Sequence, residues 1–308
     1  MEKRTFMNAK RLRANLLLLL TAMIWGTAFV SQRVSMDYIG PFTFLCARSM
    51  LGGVVLLPLI AVFSRSIPGE ARPPGQGRLL LLGGLLCGSA LFVASALQQI
   101  GILETSVGKA GFITAMYIIL IPVCGMFLGR RVSRRVWAAV GAALVGMYFL
   151  CLRGTDLSGV NRGDLLELLC SFCFTAHILI IDRFAGRVDG VKMSCIQFFV
   201  CGGLSFVCML IFESPNWRDI LAAWLPICYA GILSSGVGYT LQIIAQKDTE
   251  PAVASLLMSL ESVFSLVAGW IILGQRMNGW ELLGCGLMFA AIICVQLPEK
   301  KREEIETP

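Results

Sequence analysis

Three ionisable side chains lie deep inside long apolar stretches of this sequence: Arg48, His177 and Glu261. On insertion scales a charged residue at mid-span costs about 2.5–3.5 kcal/mol, so each asks for a partner or a wet cavity. A guanidinium at Arg48 suits bidentate capture of a carboxylate or phosphate, or else is held by helix-end carbonyls. Glu261 offers four readings: an ion pair with Arg48, coordination of an amine, carriage of a proton, or a helix–helix hydrogen bond made by the protonated acid. His177 is the single histidine, and its ordinary titration range suits a proton relay as well as a packed cavity side chain. Gln98, Gln99 and Gln242 add neutral hydrogen-bonding groups, and Trp25, Tyr117 and Tyr239 add rings that can stack on a substrate or pack in a core. Together with Arg48, these glutamines and aromatics form the candidate substrate-binding set, with Glu261 and His177 as the candidate charge pair or proton carriers. Ser255, Ser259, Ser262 and Ser265 recur along the Glu261 segment and read as close helix packing.

Other chemistries lack their residues. Cys170 and Cys173 form a CxxC, but a structural zinc needs four ligands and no second pair or nearby histidine completes it. Most of the 12 cysteines, including Cys46, Cys87, Cys124, Cys208 and Cys294, fall in apolar windows where cysteine packs as a small soft residue. His177-x4-Asp182 mimics an acyltransferase motif, yet positions five apart on one helix point away from each other. An intramembrane enzyme would need clustered acids and bases, and none is gathered in the sequence. There is no G-x4-G-K-[ST] signature for ATP. No cofactor and no metal are expected.

The elements that carry these residues follow from composition. The chain has 308 residues, 56% hydrophobic and 15% charged, with a mean hydropathy of +0.77. Soluble domains run at about 45–50% apolar and about 25% charged, so a soluble globule or a nucleic-acid-binding chain is excluded. Bilayer spans need about 20 apolar residues. Windows of that kind fall at 14–32, 41–63, 79–100, 106–128, 136–152, 164–181, 193–212, 220–244, 251–273 and 279–297. The longest connection, 64–78, is rich in Pro and Gly and reads as a loop. The basic N-terminus precedes an apolar run longer than a signal peptide's h-region, which reads as an uncleaved first helix.

Counting Lys and Arg with both ends on one side places about 19 on that side and about five on the other. The positive-inside rule then predicts cytoplasmic termini. Trp217, Trp224, Trp270 and Trp280 fall near the outer interface and Trp137 near the inner one, as an aromatic belt requires, whereas Trp25 is mid-span. Lys109, close to a span end, is expected to snorkel. Gly84-x3-Gly88 and Gly125-x3-Gly129 fit close helix contacts, within the chain or in a homodimer.

The halves repeat weakly. Asn15, Trp25 and Arg48 fall opposite Asp164, Phe174 and Gln197 at one offset, and Leu97-Gln98 and Glu104-Thr105 fall opposite Leu241-Gln242 and Asp248-Thr249. Leu128-Gly129 matches Leu273-Gly274, and Trp137-x3-Gly141 matches Trp280-x3-Gly284. Five spans per half is odd, so the second half enters from the opposite side. The expected fold is an all-α polytopic membrane protein of ten transmembrane helices in two inverted five-helix repeats. Such repeats around a midplane site are a recurring design of secondary transporters. The expected segments are 1–13 (cytoplasmic), 14–152 (first repeat), 153–163 (outer linker), 164–297 (second repeat) and 298–308 (cytoplasmic tail).

The chain resembles the EamA-type transporters of the drug/metabolite transporter superfamily over essentially its full length. The resemblance rests on Trp25-Gly26-Thr27 with Phe29, on Arg48, and on Thr105-Ser106-Val107-Gly108. It continues with Gly163-Asp164 and with Ser259-Leu260-Glu261 followed by Val263-Phe264. It implies two EamA domains in a bacterial inner membrane and movement of a small organic metabolite, amino-acid-like, through a central cavity. Its expected partners are therefore that small-molecule substrate and the lipid bilayer, without nucleic acid. A channel or a lipid-carrier flippase on the same fold is the alternative. Two positions depart from the family pattern. Ser262 stands where a proline usually follows the glutamate, which removes the basis for a proline hinge there, and Gln275 stands where an acid is usual. Pro122 in span four is able to kink its helix.

Overall fold

The structure is a computed structural model that describes residues 2–65, 76–105, 107–152, 161–273 and 278–296. Most of the loop at 64–78, the linker at 153–160, Gln275, the tail from 297 and the Lys109 side chain lie outside the described residues.

Among the described residues the chain is helical, without strands. The first half comprises α1 (Glu2–Ser35), α2 (Pro41–Arg65), α3 (Gln76–Glu104), α4 (Val107–Thr114), α5 (Tyr117–Phe127) and α6 (Arg134–Cys151). The second comprises α7 (Arg162–Ala185), α8 (Gly190–Phe212), the short α9 (Trp217–Ala222) and α10 (Trp224–Cys228). A π-helical segment, Tyr229–Tyr239, then leads into α11 (Thr240–Gln246), α12 (Pro251–Met258), α13 (Glu261–Leu273) and α14 (Gly279–Gln296). Among the described residues, eight helices are long and apolar enough to cross a bilayer: Lys10–Ser35, Pro41–Val62, Gln76–Glu104, Ala110–Phe127, Arg162–Ala185, Gly190–Phe212, Trp224–Gln246 and Pro251–Ile272. Helices α6 and α14, of 18 residues each, pack against one another. Side chains such as Phe127, Phe212, Leu210 and Ile271 point outward, as a lipid-facing surface requires. The chain is a multi-pass membrane protein.

Helix boundaries follow local chemistry. Asn161 caps α7 in a capping box with Asp164: each side chain accepts from the other's backbone N–H, at 2.8 and 3.1 Å. Asp189 caps α8 and Ser133 caps α6, and Pro251 occupies the first turn of α12, where its missing N–H costs nothing. Gly129, at φ +77°, ends α5 in the left-handed conformation that glycine adopts without strain. The N-terminus of α2 is capped from across the bundle. Glu213 accepts from the backbone N–H of Phe42 at 2.7 Å and Thr43 at 2.8 Å, and from the Thr43 hydroxyl at 2.5 Å.

Packing respects the sequence repeat. Helix α2 lies on α8 and α6 on α14, pairs that exchanging the halves maps onto themselves. Helix α3 packs on both α7 and α8, and the π-helical segment on both α1 and α2, which the same exchange interconverts. Close approaches use small residues. A Cβ on Gly84 would lie 2.4 Å from Ile196, and one on Gly88 would lie 2.6 Å from Val200. That glycine pair is used within the chain, against α8. In Gly125-x3-Gly129, by contrast, the second glycine is the helix terminator.

Candidate functional site

Two helices on either side of the molecular centre loosen at equivalent points. Between α4 and α5 the backbone bonds tighten from the α-helical i→i−4 pattern to i→i−3, with Met116 N–H donating to Ile113 O and Ile118 N–H to Ala115 O. Between α12 and α13 the same bonds recur, from Leu260 to Leu257 O and from Ser262 to Ser259 O. They follow the offset that pairs Gln98 with Gln242. The second turn forms without a proline, since Ser262 occupies that place. Pro122 sits inside α5, past the turn. Immediately after the turns stand Tyr117 and Glu261. They are repeat equivalents, 144 residues apart, and the Tyr117 hydroxyl donates to Glu261 Oε1 at 3.1 Å.

Around that bond lies a cavity lined by Trp25, Arg48, Gln98, Tyr117, His177, Tyr239, Gln242 and Glu261. Eight of the nine side chains singled out from the sequence therefore share one space. The ninth, Gln99, is buried beside it without lining it, and its Nε2 has no partner. The cavity has a volume of about 40 Å³, enough for roughly three or four water molecules.

Arg48 is 5% exposed. Its guanidinium carbon lies 5.7 Å from the Phe44 ring centroid, and its Nε is enclosed without a hydrogen-bond partner among the described residues. No ion pair joins it to Glu261 among the described residues. Tyr239 is within electrostatic reach of both groups, and its ring packs 4.5 Å from Trp25 and edge-on to His177 at 5.9 Å. The Trp25 indole N–H donates to Ser234 O at 3.3 Å. His177 Nε2 is bonded to Gln197 Oε1 at 3.1 Å, while its Nδ1 has no partner. Asp182, its partner in the mimicked motif, is instead ion-paired with Arg130. Ser255, Ser259 and Ser265 donate back to carbonyls three residues earlier, so these hydroxyls are satisfied within their own helical segment.

The structure adds residues that the sequence reading passed over. Ala28, Phe29, Gln32, Thr114, Phe174, Ile178, Ser234 and Met258 complete the lining. Behind Thr114 lies Glu167, fully buried, whose Oε2 accepts from the Thr114 hydroxyl at 2.6 Å. An acid one turn inside the Leu-rich start of span six was the available signal, since an acid inside a span needs a reason. Phe174 was equally visible, as the repeat partner of Trp25.

Chemically, the cavity offers a cation donor, an acid, neutral amides and aromatic walls in a small buried space. This set can hold a small zwitterion by both ends.

A family model described as the EamA-like transporter family matches residues 12–152 and 161–297. An uncharacterized transporter of Archaeoglobus fulgidus is 27% identical over 289 residues, covering 94% of this chain and 87% of its own. The threonine/homoserine exporter RhtA of Escherichia coli strain K12 is 26% identical over 295 residues, covering 94% and 93%. A solved crystal structure, 19% identical, superposes with a TM-score of 0.75 over 92% of this chain and 96% of that one. This likeness concerns the fold.

Proposed function

The chain belongs to the EamA-like transporter family, and from that premise we propose that it is a secondary transporter exporting small, amino-acid-like metabolites by alternating access. In this reading α6 and α14 complete ten spans, arranged as two inverted five-helix repeats with both termini in the cytoplasm. The parity of five spans per half and the basic bias of one side support it, as does the exchange symmetry of the helix packing.

One observation carries the substrate class. Arg48 and Glu261 line the same cavity without pairing, the first with an unpartnered Nε and the second held by one tyrosine hydroxyl. Opposite charges enclosed in a water-poor space normally pair, and a pair held apart is a receptor for a ligand carrying both charges. An α-carboxylate would take the Arg48 fork and an α-ammonium would take Glu261. Gln98, Gln242, Trp25 and Tyr239 would contact the side chain, with His177 orienting Tyr239. The threonine/homoserine exporter among the relatives supports a neutral, hydroxylated amino acid as the first compound to try. The small volume of the cavity fits an occluded state that must open to one side to admit it. Coupling to a proton gradient through Glu261 belongs to the same proposal.

The test is transport by the purified chain in liposomes, with labelled threonine, homoserine and a panel of acidic, basic and apolar amino acids under an imposed pH gradient. Neutral zwitterions are expected to move, and Arg48→Gln is expected to abolish their movement, since truncating a desolvated charge contact costs about 2–5 kcal/mol. If no panel member moves, or if movement survives both Arg48→Gln and Glu261→Gln, the proposal fails.

A further inference from the structure

The buried acid behind the cavity wall has no role in that scheme. Glu167 is 0% exposed. One carboxyl oxygen accepts from the Thr114 hydroxyl at 2.6 Å, and the other, Oε1, is enclosed without a partner among the described residues. Glycine makes the room for it, because a Cβ on Gly101 of α3 would lie 2.9 Å from that oxygen. The bonded oxygen is one hydroxyl away from the cavity, since Thr114 lines it. Gln98, another lining residue, places its Nε2 3.5 Å from the same hydroxyl.

The groups facing Glu167 are few. On its own helix, Asp164 stands one turn away, occupied by the Thr105 hydroxyl at 2.5 Å and the Asn161 N–H. Cys170 is one turn the other way, within electrostatic reach of Glu167 and in hydrogen-bonding reach of the Thr114 hydroxyl. From α3 comes Glu104, ion-paired with Arg162; from α4, Thr114; from α5, Tyr117, committed to Glu261. The segments α11 and α12 bring the amides Gln242 and Gln246 and no ionisable side chain. No described cation pairs with Glu167. Among the described residues a negative charge there has one hydrogen-bond donor and no counter-ion; the Lys109 side chain of α4 lies outside them.

We propose that Glu167 is a second proton-binding site, separate from Glu261, and that its protonation reverses the Gln98–Thr114–Glu167 hydrogen-bond chain and thereby switches what the cavity wall offers a ligand. A hydroxyl has a single proton to donate. With Glu167 ionised, Thr114 gives that proton to the carboxylate and presents only an oxygen to Gln98 and the cavity. A proton arriving from cavity water binds the Thr114 oxygen as the hydroxyl's own proton passes to Glu167. The Glu167 O–H then donates to Thr114, and the new Thr114 O–H points into the cavity. The wall changes from acceptor to donor, and Gln98 must turn its carbonyl where its amide N–H stood. The second half has no such device, for the repeat equivalents of Glu167 and Thr114 are Leu18 and Met258.

This deepens the transport reading, but its test needs no transported compound, so the two fail separately. The measurement is infrared difference spectroscopy across a pH titration of the purified chain in liposomes. Glu167→Gln is expected to remove one pH-dependent band of a protonated carboxyl that Glu261→Gln leaves in place. The Gln98 side-chain amide band, assigned by its loss in Gln98→Leu, is expected to shift with the same midpoint, and to stop doing so in Thr114→Val. A carboxyl band that persists in Glu167→Gln overturns the proposal, as does an amide band that ignores pH or still follows it in Thr114→Val. Should Glu167→Gln fail to fold, Thr114→Val leaves the acid in place. Its carboxyl band must then move in frequency, and an unmoved band is equally fatal.

Discussion

The two halves share a backbone plan and differ in chemistry at almost every point where the plan reaches the cavity. Their loosened turns carry equivalent bonds, and the residues that follow, Tyr117 and Glu261, meet at the centre. Yet each ionisable group there faces an uncharged equivalent: Arg48 against Gln197, Glu261 against Tyr117, His177 against Ala28, Glu167 against Leu18. The second half alone winds Tyr229–Tyr239 as a π-helix, where the first continues α3 as an ordinary helix. A repeated scaffold thus brings helices of both halves to one point, and divergence of side chains makes that point polar in one direction. Identical halves would have placed like charges opposite each other, which a water-poor cavity does not tolerate.

The largest expected difference between the halves lies where α1 crosses α13. A Cβ on Gly26 would lie 2.6 Å from Glu261 O and 2.7 Å from Ser265 N, so the two backbones touch beside the turn. Gly26→Val forces them apart, and overpacking of this kind costs about 1–3 kcal/mol or more. The equivalent position already carries a side chain, Thr175, whose hydroxyl bonds only to Ser171 O of its own helix. Thr175→Val is expected to cost about 1 kcal/mol at most. Thermal unfolding of both variants in detergent measures the contrast, and equal losses would remove Gly26 from its special place.

Next comes the fastening of α3 to α7. Thr105 donates to Asp164 at 2.5 Å, Asn161 Nδ2 donates to Glu104 O at 2.9 Å, and Arg162 pairs with Glu104. At the matching corner stand Asn15 and Thr249, and the Thr249 hydroxyl is buried with no partner among the described residues. Removing a hydrogen bond to an acid costs about 1.5–3 kcal/mol, whereas replacing an unpartnered buried hydroxyl by a methyl is neutral or stabilising. Thr105→Val is therefore expected to lower the unfolding temperature clearly, and Thr249→Val to leave it unchanged or raise it. The opposite order would show that the corners are fastened alike.

Much of this was legible beforehand, and the exceptions have physical causes. Arg48, Glu261 and His177 stood out because charge in an apolar span is costly, and the repeat flagged Gln98 and Gln242. The turn at Ser259-Leu260 holds neither glycine nor proline, so no local breaker announced it. The π-helix at Tyr229–Tyr239 has no distinct periodicity at this length. Glu167 was hidden differently: its importance lies in Thr114, a hydroxyl from another helix that no spacing connects to it. That Arg48 and Glu261 leave each other unpaired is likewise a matter of helix rotation, which sequence does not carry.

The π-helix yields a smaller test. Ser234 O, inside this segment, accepts the Trp25 indole N–H at 3.3 Å, and the repeat equivalent of Trp25 is Phe174, which has no such donor. Trp25→Phe makes the halves alike at this point. It is expected to cost about 0.5–1.5 kcal/mol and to speed amide exchange across 229–239 relative to α3. Unchanged exchange would mean that the segment holds its π form without the indole.

The smallest effect is expected from Ser262→Pro, which tests whether the two turns are already hinges. A proline inside a continuous helix costs about 3 kcal/mol, through a lost bond and a clash with the carbonyl four residues earlier. At Ser262 that carbonyl belongs to Met258, and the Ser262 N–H has already left it for Ser259 O at 3.2 Å. Only this long bond is lost, about 1 kcal/mol. A stiffer unfolded chain returns about 0.4–1 kcal/mol, so the net change is expected to be under about 1 kcal/mol. The control is Leu266→Pro, one turn further into α13, where the full helical penalty applies. If Ser262→Pro destabilises as much as Leu266→Pro, the α12–α13 turn is a continuous helix in the membrane and its match to the α4–α5 turn is one of sequence alone. If it does not, the bend is built into the backbone bonds, and a proline would reinforce a hinge that exists without one.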